Sequence, residues 1–280
     1  MNLRQLDISR RSIAFAAALI GTVSLAIGAH AALNMRALDA AKAVSTEVTG
    51  SVGQTSRLAL VIGNGHYPDA SAPLTQSIND ARALSSSLRK NGFDVDMVED
   101  ASKDDMVRAV NRLKSRIKRD TTVMLFFGGY GVQAGRESYM LPVDAVIWKE
   151  SDVRRQGISI EGVLEMMKEQ GAKAKLVVVD ASRRNPYERR FRSYSHGLAP
   201  IGTPDNALIL TSASPGKVAD DGKGEHSTLV SELLNNLNAG TAESVFNKTR
   251  VAISRASEGD QVPTVSSSLL EDVHFDQAGG

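Results

Sequence analysis

From Arg57 onward, short apolar runs alternate with amphipathic stretches. Leu58–Ile62 (LALVI) is continuously apolar and stops at Gly63-Asn64-Gly65, which predicts a buried strand ending in a turn. Asn79 to Lys90 carries Ala81, Leu84 and Leu88 at helical spacing, and Phe93–Val98 alternates apolar with polar residues as a half-exposed strand does. Ser102 suits the cap of a helix running to about Lys118, with Met106, Val110, Leu113 and Ile117 on one face. Val123–Phe127 is the next apolar run, halted by Gly128-Gly129; Ser138–Pro142 is short and extended; Ser159 opens a helix with Val163, Leu164 and Met167 inward. Leu176–Val179, ending at Asp180-Ala181-Ser182, predicts a further buried strand, and Ala207–Leu210 another, followed by helices over Thr228–Leu237 and Glu243–Ser257.

Strands alternating with helices predict an α/β fold, a mostly parallel sheet covered on both faces. In such sheets ligands bind beyond the carboxyl ends of the strands. The segments to inspect are therefore Gly63–Tyr67, Gly128–Gln133, Asp180–Pro186 and Thr211–Asp221.

Composition narrows this little: 42% hydrophobic and 23% charged residues are ordinary for a globular chain. A net charge of +1 gives no electrostatic reason to expect nucleic acid. The absence of cysteine matters more, because it removes disulfides, thiolate metal sites and any cysteine nucleophile. Ahead of the domain, Arg4, Arg10 and Arg11 precede the apolar stretch Ser12–Leu33, with Ala29-His30-Ala31 near its end. A positive start, an apolar middle and a small-residue exit are the marks of a secretory signal peptide. The stretch is also long enough for an uncleaved membrane anchor, Ser9-Arg10-Arg11 is a short twin-arginine match, and a buried core helix is a third reading. The first two place the main domain outside the cytoplasm, in the periplasm or anchored to the inner membrane facing it. Residues 1–33 are thus expected to be leader or anchor, 34–56 an Ala/Ser/Thr/Gly-rich linker, 57–276 the domain and 277–280 a tail.

At the strand ends the domain resembles the bacterial caspase-like family, the orthocaspases or metacaspase-like proteins. Arg57–Asn64 resembles the family's opening strand, Ser77-Ile78-Asn79-Asp80-Ala81 its "NDA" helix start, and Gly92-Phe93-Asp94-Val95 its second strand. Met140-Leu141-Pro142-Val143-Asp144 is similar to its "LLPVDA" segment. Gly197-Leu198-Ala199, Ala213-Ser214-Pro215-Gly216 and Ala219-Asp220-Asp221-Gly222 fit the start of its small subunit, and Gln261-Val262-Pro263 its terminal "QxP". The resemblance implies a three-layer α/β/α sandwich with a central sheet of about six strands. Its large-subunit part would cover about 57–187 and its small-subunit part about 203–276.

In that family a His lies in a turn after the third strand and a Cys in "DACRNNP" after the fourth. Here the corresponding segments read Phe127-Gly128-Gly129-Tyr130-Gly131 and Asp180-Ala181-Ser182-Arg183-Arg184-Asn185-Pro186. The 52-residue separation of Tyr130 and Ser182 matches the roughly 50 residues between a caspase pair. Both reacting side chains are changed while the frame is kept. A serine hydroxyl needs an adjacent base, and a phenol, with a pKa of about 10, is protonated at neutral pH. The chain is therefore read as an inactive variant with no catalytic residues, Tyr130 and Ser182 being degenerate positions. A hydrogen bond from Tyr130 to Ser182 is the expected structural role. The competing reading, a weak peptidase using Ser182, needs a base such as His66. A third reading is an architectural partner of an active relative.

The resemblance also implies a first substrate pocket for Arg or Lys, lined by Asp80 and Asp180, and an oxyanion-holding turn at Gly129 and Gly131. A helix cap for Asp80 and a loop-holding hydrogen bond for Asp180 are the plainer alternatives. Arg183, Arg184, Arg189, Arg190 and Arg192 make the stretch after Ser182 basic, either a solvated loop or one able to dock in its own acidic pocket. No cofactor is expected; calcium stays open because some metacaspases depend on it, although Asp220-Asp221-Gly222 and Glu225 lack a full calcium pattern. A peptide or protein is the expected partner, with membrane contact only through the N-terminal segment, and the resemblance implies a monomer.

Overall fold

Leu58, Leu60 and Ile62 of the first strand pack into one apolar layer and Ala59 and Val61 into another, so the period of two persists inside a run that is apolar throughout. The computed structural model describes residues 56–68, 74–184, 186–187, 197–219 and 224–275. The N-terminal leader, nearly all of the linker, the tail, Arg189, Arg190, Arg192 and Asp220-Asp221-Gly222 lie outside the described residues.

The elements are β1 (Arg57–Gly63), α1 (Thr75–Lys90), β2 (Asp94–Glu99), α2 (Lys103–Arg116), β3 (Thr122–Gly128), β4 (Gly131–Ala134), β5 (Glu137–Met140) and α3 (Glu150–Gln156). They continue with β6 (Ile158–Ser159), α4 (Ile160–Glu169), β7 (Ala174–Asp180), β8 (Ala207–Thr211), α5 (Thr228–Asn236), α6 (Ala242–Ala256) and β9 (Thr264–Ser267). The main sheet has six strands in the order β2-β1-β3-β7-β8-β9. Its first five are mutually parallel, and β9 closes it antiparallel to β8. Met106, Ala109 and Leu113 of α2 and Val163, Leu164 and Met167 of α4 cover one face. Ala81, Leu84 and Leu88 of α1, with apolar residues of α5 and α6, cover the other. This is an α/β/α sandwich with a six-stranded, mostly parallel sheet. A second, three-stranded antiparallel sheet, β4-β5-β6, stands beside it.

The predicted strands and helices fall where their apolar patterns lie, and Ser102 caps α2 in a capping box with Asp105. α1 differs: it begins at Thr75, and Leu74 at its cap makes no side-chain hydrogen bond, so nothing in the local chemistry marked the start. As a result Asp80 lies in the second turn of α1 and does not cap it. In the register, Gly63, Gly128 and Asp180 stand side by side at the carboxyl ends of β1, β3 and β7. Strand order runs outward in both directions from β1 and β3, which makes this edge the place where a ligand-binding crevice forms.

Candidate functional site

The turn after β3 is held by close approach. A Cβ at Gly129 would lie 2.6 Å from the Tyr67 hydroxyl and 2.8 Å from Phe127, and one at Gly131 2.6 Å from Leu198 and 2.9 Å from Ala181. Only glycine fits at either position. Tyr67, which follows β1, anchors the turn: its hydroxyl donates to the Leu141 carbonyl at 2.9 Å and accepts the Tyr130 amide at 3.1 Å, and its ring meets the Tyr130 ring edge-on at 4.9 Å. Asn64 adds to the same framework, donating to the Leu141 carbonyl at 3.1 Å and accepting the Ala101 amide at 2.8 Å. These contacts give the Gly63-Asn64 and Leu141-Pro142 segments a physical purpose, which is to tie the ends of β1, β2 and β5 around the turn.

The amides of Gly129 and Gly131 are already donated, to the carbonyls of Asp180 at 3.3 Å and Ala181 at 3.1 Å. In this arrangement the two glycines, expected as an oxyanion turn, brace the β3 and β7 ends against each other.

Ser182 lies at the end of β7 and is 1% exposed. Its amide donates to the Ser212 hydroxyl at 3.4 Å and its carbonyl accepts the Ala219 amide at 2.7 Å. Its Oγ is buried and has no hydrogen-bond partner among the described residues. The predicted Tyr130–Ser182 hydrogen bond is therefore not formed. A Ser182–His66 pair is not formed either. His66 is exposed and its Nδ1 lies 2.5 Å from the Asp100 carboxylate, which also accepts the amides of Gly65 and His66. Burial pushes the Asp100 carboxyl up, but those amides and the imidazole outweigh it and hold it below its ordinary value. Burial raises the Tyr130 phenol above its usual value, partly offset by the positive charge of Arg183. Tyr130 is thus fully protonated at neutral pH.

The two predicted pocket acids lie near enough for the Asp180 charge to bear on Asp80, and each is met by a basic side chain of the chain itself. Asp180 pairs with Arg183 at 3.6 Å, and both are buried. Asp80 is fully buried and accepts from His226 Nδ1 at 3.0 Å and from the Ser227 amide at 3.1 Å. Burial and the neighbouring Asp180 charge raise the Asp80 carboxyl to about 6, against the donors on Ser227 and the imidazole of His226. Asp80 thus holds the start of α5. Two more α1 side chains hold the segment before it, Gln76 donating to the Gly224 carbonyl at 2.8 Å and Asn79 to that of Glu225 at 3.4 Å.

Sequence reasoning missed four residues here: Tyr67, Arg183 as the partner of Asp180, Ser212 and His226. Tyr67 and Ser212 fall in segments singled out at the strand ends but without a role there; Gln261 of the "QxP" segment donates to the Ser212 carbonyl at 2.8 Å and so steadies the loop behind Ser182. Among the described residues no group of three or more His, Asp or Glu is placed to hold a metal ion, and no helix is long and apolar enough to cross a membrane.

A model of the caspase domain matches residues 56–274. The mouse mucosa-associated lymphoid tissue lymphoma translocation protein 1 homolog is 28% identical over 146 residues, covering 51% of this chain and 17% of that protein. Its human counterpart is 28% identical over 136 residues, 47% of this chain and 16% of that protein. The chain thus matches only a small part of the length of these relatives. The family model, in contrast, runs from the start of β1 to beyond β9, and on that extent the chain belongs to the caspase-domain family.

Proposed function

We propose that this chain is an exported caspase-fold pseudoprotease that binds a peptide or protein at basic residues without cutting it. One observation carries the reading. At the nucleophile position stands a buried serine hydroxyl with no hydrogen-bond partner among the described residues, and at the base position stands a phenol whose pKa is raised further by burial. A serine attacks a carbonyl only when a base takes its proton, and a protonated phenol does not. His66, the base that a serine mechanism would need, is engaged with Asp100 and not with Ser182. The juxtaposition of Asp80 and Asp180 supports recognition of a guanidinium or ammonium group. The basic start and apolar stretch of residues 4–33 support export, as a cleaved domain or an anchored one.

Fluorogenic peptides ending in Arg or Lys are expected to show no turnover above that of Ser182→Ala. Turnover abolished by Ser182→Ala would sink the pseudoprotease reading. Export is checked with a C-terminal alkaline phosphatase fusion, which is expected to be active only when the first 33 residues are present; equal activity without them argues against it.

A further inference from the structure

We propose that His226 gates the acid pair: its imidazole holds the Asp80 carboxylate until a guanidinium or ammonium side chain displaces it. The inference rests on the basic-residue reading above and adds to it how the subsite opens.

Asp80 and Asp180 differ in how their internal partners are housed. Arg183 is 4% exposed and walled in beside Asp180, whereas the His226 side chain is 26% exposed at the rim over Asp80. Among the described residues the segment carrying His226 is clamped lightly. Besides the imidazole contact, the 224–226 stretch is held to α1 by the hydrogen bonds from Gln76 and Asn79, both at exposed positions where water readily replaces a lost partner. The next residue is fixed differently: Ser227 is the cap of α5, its Oγ accepting the Val230 amide at 3.1 Å while its own amide stays on Asp80. On the Ser227 side the segment is thus fixed, so residues 224–226 can move while Asp80 keeps one backbone donor.

The chemistry of the exchange favours a basic ligand. His226 reaches Asp80 through one ring nitrogen, on Oδ1. A guanidinium offers a planar fork to both oxygens of a carboxylate. It would also sit beside Asp180, whose charge already bears on Asp80. No apolar side chain gains from that place, because seating one there would leave the Asp80 carboxylate without a replacement for the donor that His226 withdrew.

The test uses the full chain and a fluorescein-labelled hexapeptide ending in arginine amide, with a norleucine-ended peptide as control, read by anisotropy. His226→Ala is expected to bind the arginine peptide about tenfold more tightly than the unaltered chain, since a charge-assisted hydrogen bond no longer has to be broken. His226→Arg, which leaves a permanent guanidinium on Asp80, is expected to abolish binding. The norleucine peptide is expected to bind no variant. Equal affinity in the unaltered chain and His226→Ala overturns the gate while leaving the binding reading standing, and so does weakened binding in both variants. Absence of arginine-peptide binding in all three, each with an intact circular dichroism spectrum, overturns the binding reading and the gate with it.

Discussion

Arg183→Met is expected to destabilise the folded chain by about 3–5 kcal/mol, the range found when one partner of a buried ion pair is removed. Asp180 and Arg183 are both buried, 3.6 Å apart, with the Asp80 carboxylate nearby. Without the guanidinium, two buried carboxylates would lie near each other with, among the described residues, His226 and Ser227 to compensate them. The pair is not expected to be a net source of stability, since desolvating two charges offsets most of their attraction. The double variant Arg183→Met/Asp180→Asn is therefore expected to recover most of the loss. Equilibrium urea unfolding of the three proteins gives the comparison. A single variant as stable as the unaltered chain, or a double variant no better than the single one, would contradict this account.

The second large effect is a pH dependence centred on Asp80. Its carboxyl is raised from 3.8 to about 6, first by burial and then by the charge of Asp180. For an acid shifted upward, the folded state holds the proton more tightly than the unfolded one. The associated stability is fully present below about pH 3.8 and is lost as the pH rises through about 6. A shift of about two units corresponds to roughly 3 kcal/mol. Asp80→Asn cannot ionise, so its stability relative to the unaltered chain is expected to move in its favour by roughly that amount between pH 4 and pH 8. The titratable groups bearing on Asp80 are Asp180 and His226, and both are retained in the variant, so the difference reports the Asp80 proton together with its coupling to them. Parallel urea titrations across that range provide the measurement, and a difference that stays flat with pH would remove Asp80 as the titrating group.

Much of the architecture was legible from residue pattern, and the reason is burial. β1, β3 and β7 are covered on both faces, so their sequences are unbroken apolar runs that end at Gly or Asp. β9 escaped notice because Thr264–Ser267 is a short, half-exposed edge strand with one apolar residue. β4 and β6 escaped because Gly131–Ala134 and Ile158–Ser159 carry no alternation of their own and are defined by their antiparallel partner β5. The site divides the same way. Asp80, Asp180, Tyr130 and Ser182 could be named because motifs place them at strand ends. Their partners could not: His226 is 146 residues from Asp80, and no local pattern links the two. The engaged amides of Gly129 and Gly131 were equally invisible, since they depend on how far apart two strand ends settle.

The outer strand β2 carries Asp94, Asp96 and Glu99, each tied back to a helix, by Arg116 and Arg112 of α2 and by Arg82 of α1. Individually such exposed pairs add little to stability. Their consequence lies in what the open edge of the sheet refuses. A strand from another copy laid against β2 would have to pass three carboxylates and the arginines pinned over them, stripping water from both. The sheet ends there because its last strand is a poor template.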